Sequence, residues 1–416
     1  MLFVSTSSPT LSHPIEWRLD LQPWTLPQVK ALLHQATHPI MLTPKIKEEA
    51  LLQKLVDLHP PYLDLDYDLR PQFIYNLLQN YPKTKFVLSY HGDKNIETVY
   101  ATMKRYPAHH YKIAKKVATS IEALHLLLFA KKNPDLTVIP IGDKASFARI
   151  LSPILGGELH YTYEIEKTAE GQLPLQELTE IYDFSNLTTT TAIYGLIGYP
   201  IDHSIGHMYH NRWLQEEKIP AVYVKIPVKA EELQTFMSLA NEIGIQGLSV
   251  TTPLKEKILP FIDDLDNYSR EIGAANTLFL KNGRRIGTNT DGIGAFNALK
   301  KRRKAVGAKV IVIGKGAAAR AIAYEGEKRG AKVTLIKRGE KVMEPYDILI
   351  NATPQDSPIF SEEIQKNTLV MDLNYKVKET TLLQEALKKG CTLSYGEEMF
   401  YHQAEEQKKW WLALSN

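Results

Sequence analysis

The stretch AKVIVIGKGAAARAIAYEGEKRGAKVTLIKRG, residues 308–339, joins an apolar β-type run, a glycine turn, a helical segment and a second apolar run. Gly314 and Gly316 lie between the first run and the helix, where the absence of a side chain lets the backbone approach a pyrophosphate. The helix begins near Ala317 and Ala318, and its free N–H groups favour a bound anion. The stretch therefore predicts a βαβ unit of the Rossmann type that binds a dinucleotide.

Two basic residues follow the second strand of this unit. An NAD-binding unit places an acidic residue near this point, because its carboxylate holds the ribose 2′-hydroxyl. Lys337 and Arg338 stand there instead, which suits the 2′-phosphate of NADP, and the nearest acid, Glu340, lies beyond the turn. A solvated basic turn without a ligand is the alternative. The pattern favours NADP as cofactor.

Residues 1–165 repeat short β-rich runs that are separated mostly by segments of helical spacing. Eight strands alternating with helices indicate a (βα)8 barrel rather than an open sheet. The predicted strands cover residues 2–6, 15–20, 39–43, 62–67, 85–91, 110–115, 136–142 and 158–164. The polar, threonine-rich tract 183–191 has no apolar period and predicts a linker. After it, strands and helices alternate again.

A lysine and a histidine lie on predicted barrel strands, whose carboxyl ends carry the chemistry of such barrels. Lys112 lies within the strand HYKIA, and a nearby cation such as Arg149 would lower its pKa and leave a neutral, nucleophilic amine. Such an amine forms Schiff bases with ketones, and His91 could transfer protons. The structural alternatives are an ion pair of Lys112 with a carboxylate and a merely hydrogen-bonded His91.

Six motifs in the first 180 residues resemble those of type I 3-dehydroquinate dehydratase. They are EWRLD (16–20), DLD (64–66), SYH (89–91), YKIA (111–114), GDKASFAR (142–149) and EGQ (170–172). The resemblance implies that Lys112 forms an imine with the substrate ketone, and that His91 removes the adjacent proton and then protonates the departing hydroxyl. It also implies a set of substrate-binding residues, with Arg149 on the carboxylate: Arg149, Arg18, Glu16 and Gln172.

This half departs from the family pattern at several positions. Lys45 stands where the family has an arginine, and a lysine lacks the planar fork that clamps a carboxylate. Thr168 stands where a serine is usual, Asp66 where a glutamate is usual, and EEA (48–50) where the family has E-G-G. Lys45 and Thr168 remain predicted substrate contacts.

The second half resembles shikimate dehydrogenase over residues 193–411. The shared motifs are YGLIGYPIDHS (194–204), GLSVTTPLKE (247–256), GAANT (273–277), NTDGIG (289–294), NATP (351–354), DLNY (372–375) and GEEMFYHQ (396–403). The resemblance implies that Lys255 and Asp291 are the catalytic pair. Their chemistry fits, because an ammonium can donate a proton to an alkoxide that develops as a hydride arrives. A structural salt bridge is the alternative.

The same resemblance implies further site residues. For the substrate they are Ser204, Thr251, Asn276, Tyr375 and Gln403, and for the cofactor they include Asn351 and Thr353. Gly206 replaces a second carboxylate-binding serine of the family, and Ser249 replaces an asparagine. Loss of one hydroxyl contact weakens binding by about 1–2 kcal/mol unless another donor replaces it.

Composition excludes several classes of protein. The 416 residues are 44% hydrophobic and 23% charged, which rules out a disordered or fibrous chain and predicts two or three domains. A net charge of +3 gives no reason to expect nucleic acid or a membrane surface as partner. The single cysteine, Cys391, and the absence of a signal-peptide pattern predict a cytoplasmic protein.

Two remaining patterns receive structural interpretations. His203, His207 and His210 have helical spacing, but no glutamate lies between them as in H-E-x-x-H, so packing is favoured over a metal site. The basic run KKRRK (300–304) lies at a predicted helix end, where it complements the helix dipole.

The two halves resemble consecutive steps of one pathway. We expect a barrel over residues 1–185, a substrate-binding domain over 186–297 that 386–416 completes, and an NADP-binding Rossmann domain over 298–385. The predicted reactions are dehydration of 3-dehydroquinate to 3-dehydroshikimate through a lysine Schiff base, then NADPH-dependent reduction to shikimate. The alternatives are a shikimate dehydrogenase with an inactive barrel and a metabolite-sensing binding protein.

Overall fold

A computed structural model describes residues 1–8, 12–342, 344–374 and 379–412. The chain forms two compact units. The first comprises Met1–Ile193, His207–Pro227 and Ser238–Gly244, and the second comprises Tyr194–Gly206, Val228–Met237 and Ile245–Asn416. Within the described ranges, no helix combines the length and the apolar character that crossing a membrane requires.

The first unit begins with eight parallel strands. The strands and helices of this part are β1 (Leu2–Thr6), β2 (Ile15–Arg18), α1 (Leu26–Gln35), β3 (Ile40–Thr43), α2 (Glu49–Val56), β4 (Tyr62–Asp66), α3 (Pro71–Asn80), β5 (Lys85–His91), α4 (Ile96–Met103), β6 (His110–Lys116), α5 (Ser120–Lys131), β7 (Leu136–Ile141), α6 (Ser146–Leu151), β8 (His160–Thr162) and α7 (Leu175–Glu180). All eight predicted strands are confirmed, with each end within two residues of the prediction.

The eight strands form a barrel that is nearly closed. Their order is β7-β6-β5-β4-β3-β2-β1-β8, and the seven strand pairs are all parallel. The described backbone pairing does not join β7 to β8. Pro140 in β7 has no N–H to donate, and β8 has only three residues, which together explain the open seam. Phe3, Tyr62 and Tyr161 pack inside the barrel among other apolar side chains.

The chain after the barrel continues with alternating elements and then a Rossmann-type unit. The next elements are β9 (Ala192–Gly198), α8 (Gly206–Glu216), β10 (Ala221–Pro227), α9 (Leu233–Ile243), β11 (Ile245–Val250), β12 (Asp264–Leu265), α10 (Asn267–Ile272), β13 (Thr277–Lys281), β14 (Arg284–Thr288) and α11 (Asp291–Leu299). The last are β15 (Lys309–Ile313), α12 (Ala317–Lys328), β16 (Lys332–Ile336), β17 (Ile348–Asn351), β18 (Leu369–Asp372), α13 (Thr381–Lys388), β19 (Thr392–Tyr395) and α14 (Gly396–Leu412).

Two sheets organise the second unit. Strands β9, β11, β13, β14 and β12 follow one another in that order in one sheet, and Asn282 and Gly283, both with positive φ, turn β13 into the antiparallel β14. The other sheet has the parallel order β16-β15-β17-β18-β19. This order places the carboxyl ends of β15 and β17 side by side, where a nucleotide-binding sheet receives its ligand. The Rossmann fold predicted for this region is confirmed.

Candidate active sites

Lys112 lies inside the barrel on β6 and is almost fully buried. Its exposed fraction is 2%, and its Nζ forms ion pairs with the carboxylates of Asp64 and, at 3.5 Å, of Glu16. Strand register explains the meeting: Lys112 lies opposite Ser89 on β5, whose hydroxyl donates a 2.5 Å bond to Asp64 on β4. The barrel therefore surrounds one amine with two carboxylates.

The expectation of a lowered pKa for Lys112 is wrong for this state of the protein. Burial favours the neutral amine, but the attraction of the Asp64 and Glu16 carboxylates outweighs it and raises the pKa of Lys112 above its usual range. The same pairing holds the pKa of Asp64 below its usual range. The structural alternative, an ion pair of Lys112 with a carboxylate, is therefore present. Lys112 must release a proton before it can act as a nucleophile.

Hydroxyl groups fix the second carboxylate. Ser5 on β1 lies opposite Glu16 in the strand register and donates to its Oε2, and Thr43 on β3 donates to its Oε1 at 3.1 Å. The ring of Tyr161 on β8 lies below the ammonium, with Lys112 Nζ 4.9 Å from its centroid. These contacts hold the amine and its acceptors in one place.

His91 ends β5 at the mouth of the barrel and is exposed to solvent. Partial burial, together with the positive charge of Lys112, lowers the pKa of His91 to about 4. Its imidazole is therefore neutral at physiological pH and can accept a proton. This is the protonation state that the predicted base requires.

Arg149 on α6 is a buried cation with few partners. It is 9% exposed, its Nη2 donates to the Glu170 carbonyl at 3.3 Å, and its Nε has no hydrogen-bond partner in the described part of the chain. Burial lowers the pKa of Arg149 to about 10, so the group stays charged. A buried guanidinium that still has N–H groups available to donate, beside the barrel interior, is suited to an anionic ligand.

The remaining predicted contacts of the barrel lie near its mouth. Arg18 forms a fork with Asp20 at 2.8 and 2.7 Å, whereas Lys45 is exposed and has a left-handed φ of 47°. Although Lys45 is exposed, partial desolvation of its amine and the neighbouring Arg18 lower the pKa of Lys45. Gln172 accepts bonds from the N–H (2.9 Å) and the hydroxyl (3.0 Å) of Thr168, which orders the loop that carries both.

Lys255 and Asp291 meet in the second unit. Lys255 Nζ lies 2.5 Å from Asp291 Oδ2, and Asp291 begins α11 with only 4% of its surface exposed. Asn276 donates to the other carboxylate oxygen at 2.8 Å. The pair is thus oriented by a third side chain, as a proton-transferring pair must be.

Two predicted residues and one unpredicted residue complete this network. Asn276 lies 3.3 Å from Gln403 on α14, and Thr290 bonds to both. Gly294 makes the approach of α14 possible, because a Cβ there would lie 2.6 Å from the Cβ of Gln403. The structure therefore brings together Lys255, Asp291, Asn276 and Gln403.

The other predicted substrate contacts have local partners. Ser204 Oγ accepts a 3.2 Å bond from the Gly206 N–H at the start of α8, and the Thr251 N–H donates to Ile197 at 2.9 Å. Ser249, which replaces the asparagine of the family, donates a hydrogen bond from its hydroxyl to Gln407 Oε1 at 3.0 Å. The shorter serine side chain therefore still has a hydrogen-bond partner. Tyr375 lies outside the described residues.

The glycine turn after β15 fits a dinucleotide. Gly314 has a φ of 120°, and a Cβ added at Gly316 would point into open space, so the backbone is accessible before α12 begins at Ala317. Lys337 and Arg338 follow β16 and are exposed. The donor set, a glycine turn at a helix N-terminus with two cations beside it, suits a pyrophosphate and a further phosphate.

Asn351 and Thr353 shape the neighbouring turn after β17. Asn351 is fully buried; its amide donates to Gln355 and Asp372, and its oxygen accepts from the N–H and hydroxyl of Thr353. These bonds order the turn, and contact of either residue with the cofactor stays a prediction.

Comparisons with known proteins agree with this geometry. Residues 12–189 match the model of type I 3-dehydroquinase, and residues 196–278 match that of the shikimate dehydrogenase substrate binding domain. The chain is 33% identical to the shikimate biosynthesis protein AroDE of Chlamydia pneumoniae, over 95% of this chain and 89% of that one. The chain belongs to the AroDE family. It is a bifunctional 3-dehydroquinate dehydratase and shikimate dehydrogenase.

Other relatives of this AroDE-family enzyme share one or both halves. The bifunctional chloroplastic enzyme of Arabidopsis thaliana is 27% identical over 94% of this chain and 76% of its own length. Shikimate dehydrogenase from Aquifex aeolicus has a solved structure that is 32% identical, covers 54% of this chain and 93% of its own, and has a TM-score of 0.51. A solved shikimate dehydrogenase in complex with NADP+ is 31% identical, covers 54% and 91%, and also has a TM-score of 0.51.

Several residues of these AroDE-type sites were not predicted from the sequence. Tyr161 lies under Lys112, Thr290 joins the Asn276 network, and Arg320 on α12 donates to the Ile272 carbonyl and to Glu256, both at 2.8 Å. Tyr161 lies in the predicted strand 158–164, and inward alternation along that strand is the one signal that could have indicated it. Arg320 lies within residues 308–339, but no local sequence pattern indicates its partners Ile272 and Glu256.

Proposed function

We propose that Lys112 and His91 carry the dehydratase reaction and that Lys255 and Asp291 carry the reduction. The dehydratase assignment is supported chiefly by the position of the Lys112 amine between the Asp64 and Glu16 carboxylates inside the barrel. Either carboxylate can take the proton that Lys112 loses when its amine attacks the ketone of 3-dehydroquinate. Water leaves as the iminium forms.

The iminium then acts as the electron sink of the dehydration. The neutral His91 takes the proton from the carbon next to the iminium carbon, and the same imidazole returns it to the departing hydroxyl, which leaves as water. Hydrolysis of the imine releases 3-dehydroshikimate and restores Lys112. We propose that Arg149 binds the substrate carboxylate, since its guanidinium is buried and its Nε has no hydrogen-bond partner among the described residues. We also propose that the rest of the ring is contacted by Arg18, Lys45, Glu16, Thr168 and Gln172.

For the second half, we propose NADPH as the reductant, held by the glycine turn (Gly314, Gly316, Ala317 and Ala318) and by Lys337 and Arg338. When bound, the cofactor supplies a hydride to the substrate ketone. Lys255 donates a proton to the oxygen that gains charge, and Asp291 holds the ammonium in place. Asn276 orients Asp291, and with Gln403, Ser204, Thr251 and Tyr375 it is proposed to bind the substrate.

The placement of domains and the cellular setting are also proposals. We propose a barrel over residues 1–185, a substrate-binding domain over 186–297 with 386–416, and a nucleotide-binding domain over 298–385. A cytoplasmic location stays a prediction from the single cysteine. Action on small molecules without nucleic acid or membrane partners is proposed from the low net charge.

A coupled assay tests the proposed function. Purified protein given 3-dehydroquinate and NADPH is expected to oxidise NADPH, because the barrel supplies the ketone that the second half reduces. The oxidation of NADPH is followed by absorbance, with 3-dehydroshikimate as the positive control for the second site alone. Oxidation with 3-dehydroshikimate but none with 3-dehydroquinate would show that the barrel does not catalyse the dehydration.

The pH dependence of the dehydratase is a second expected result. Because the pKa of His91 is about 4, this residue stays an effective base until the pH falls below about 5. We expect kcat/KM for 3-dehydroquinate to stay level as the pH falls from neutrality and to decline only as it approaches about 4. The measurement is the pH profile of initial rates of product absorbance. A decline centred near 6.5, the ordinary value of histidine, would contradict the assigned environment.

A further inference from the structure

A carboxylate lies within the turn that follows β16. The turn spans Lys337 to Glu340; the Glu340 N–H donates to the Lys337 carbonyl at 3.2 Å, and Gly339 supplies a φ of 74°. In addition, the Lys337 N–H donates to Glu340 Oε2 at 2.8 Å. The side chain of Glu340 is thereby folded back onto the first residue after the strand.

This position is where a Rossmann unit distinguishes its cofactors. The Gly314 N–H donates to the Ile336 carbonyl at 2.9 Å, so Lys337, the next residue, lies beside the glycine turn. In NAD-binding units a carboxylate near this strand end accepts a hydrogen bond from the ribose 2′-hydroxyl. Glu340 comes later in the sequence than such an acid, but its carboxylate returns to the same strand end.

We propose that Glu340 is a specificity-determining residue that allows the dehydrogenase half to use NADH as well as NADPH. The inference rests on the proposed binding of a dinucleotide at this turn. Lys337 and Arg338 attract a 2′-phosphate, whereas the Glu340 carboxylate repels it and offers an acceptor to a 2′-hydroxyl. The turn thus contains cations that favour NADPH and a carboxylate that favours NADH.

Replacing Glu340 with glutamine tests the negative charge of this side chain separately from its hydrogen bond within the turn. The variant Glu340→Gln keeps an oxygen that can accept the Lys337 N–H bond, so the turn is retained, but it removes the negative charge. Glu327→Gln is the matched control, because Glu327 is exposed on α12 of the same βαβ unit and the charge change is identical. A retained kcat with NADPH shows that the second unit of each variant is intact, because positions 327 and 340 both lie in that unit.

The experiment measures kcat and KM for NADPH and for NADH in the reduction of 3-dehydroshikimate. We expect the original protein to turn over NADH measurably. Glu340→Gln should raise the NADPH-to-NADH ratio of kcat/KM about tenfold, through a lower KM for NADPH and a higher KM for NADH, with kcat little changed. Glu327→Gln should leave the ratio unchanged.

The outcomes separate this inference from the proposed function. A ratio that Glu340→Gln leaves unchanged, or a KM that rises equally for both cofactors as after simple loss of the turn, would overturn the role of Glu340 alone. No turnover with either cofactor, while the dehydratase remains active, would overturn the proposed reductase and the inference together.

Discussion

Replacing Lys112 with arginine is expected to remove the dehydratase activity by about 10³-fold or more while the dehydrogenase activity persists. A guanidinium cannot form the imine, because it stays protonated at every working pH. It can nevertheless pair with Asp64 and Glu16, so the buried carboxylates keep a counterion. The measurement is product absorbance with 3-dehydroquinate, followed by NADPH oxidation with 3-dehydroshikimate on the same sample.

The matched control is Lys116→Arg, the same exchange at the exposed end of β6. This variant should keep both activities. Dehydratase turnover that survived Lys112→Arg would show that Lys112 forms no covalent intermediate, and the barrel chemistry proposed above would fail.

Alanine is a poorer choice at position 112 because it changes stability as well as chemistry. Removing the amine leaves Asp64, which is 4% exposed, and Glu16, which is 5% exposed, without their ion-pair partner. Breaking a buried pair in this way costs about 3–5 kcal/mol of unfolding free energy. In the original protein the lowered pKa of Asp64 contributes stability above its unfolded value near 4, and that contribution is lost as the pH falls. Activity lost in Lys112→Ala would therefore not identify the nucleophile.

For Lys112, the strand that carries it could be predicted from the sequence, but the charges around it could not. The strand HYKIA and its lysine could be predicted, because alternation along a strand is a local property. The charge next to Lys112 comes from Asp64, two strands earlier in the chain, and only the barrel register places the two together. Sequence order suggested Arg149 as the electrostatic neighbour, and the pKa shift was consequently predicted in the wrong direction.

The same limit applies to the closure of the barrel and to the second site. The eight strands were predictable from their β-rich runs, but the open seam depends on Pro140 and on the shortness of β8. In the second half the motifs indicated Asn276 and Gln403 separately. These two residues are 127 positions apart, and their contact depends on α14 packing against α11, where Gly294 leaves space. No local sequence pattern predicts that α14 packs there.

Replacing Lys255 with methionine is expected to lower kcat for the reduction of 3-dehydroshikimate by about 10²–10⁴-fold, the usual contribution of a positioned proton donor. Methionine keeps the apolar stem but has no proton to give to the developing alkoxide. Lys257→Met is the control, since Lys257 is exposed two residues further along the same segment. Rates are measured as NADPH oxidation, and the dehydratase activity should be unchanged in both variants. A loss of equal size in Lys257→Met would point to disturbed folding of the segment rather than to a lost proton donor.

Combining Lys255→Met with Asp291→Asn distinguishes a catalytic pair from two independent contributors. An asparagine at 291 can still accept the Asn276 hydrogen bond, which is 2.8 Å long, so the start of α11 should keep its structure. It no longer provides the carboxylate oxygen that lies 2.5 Å from the Lys255 amine. Because Asp291 acts on the reaction through Lys255, the double variant should lose little more rate than Lys255→Met alone. Losses that multiply would mean that Asp291 contacts the substrate on its own account, and the assignment of a single proton-donating pair would have to be abandoned.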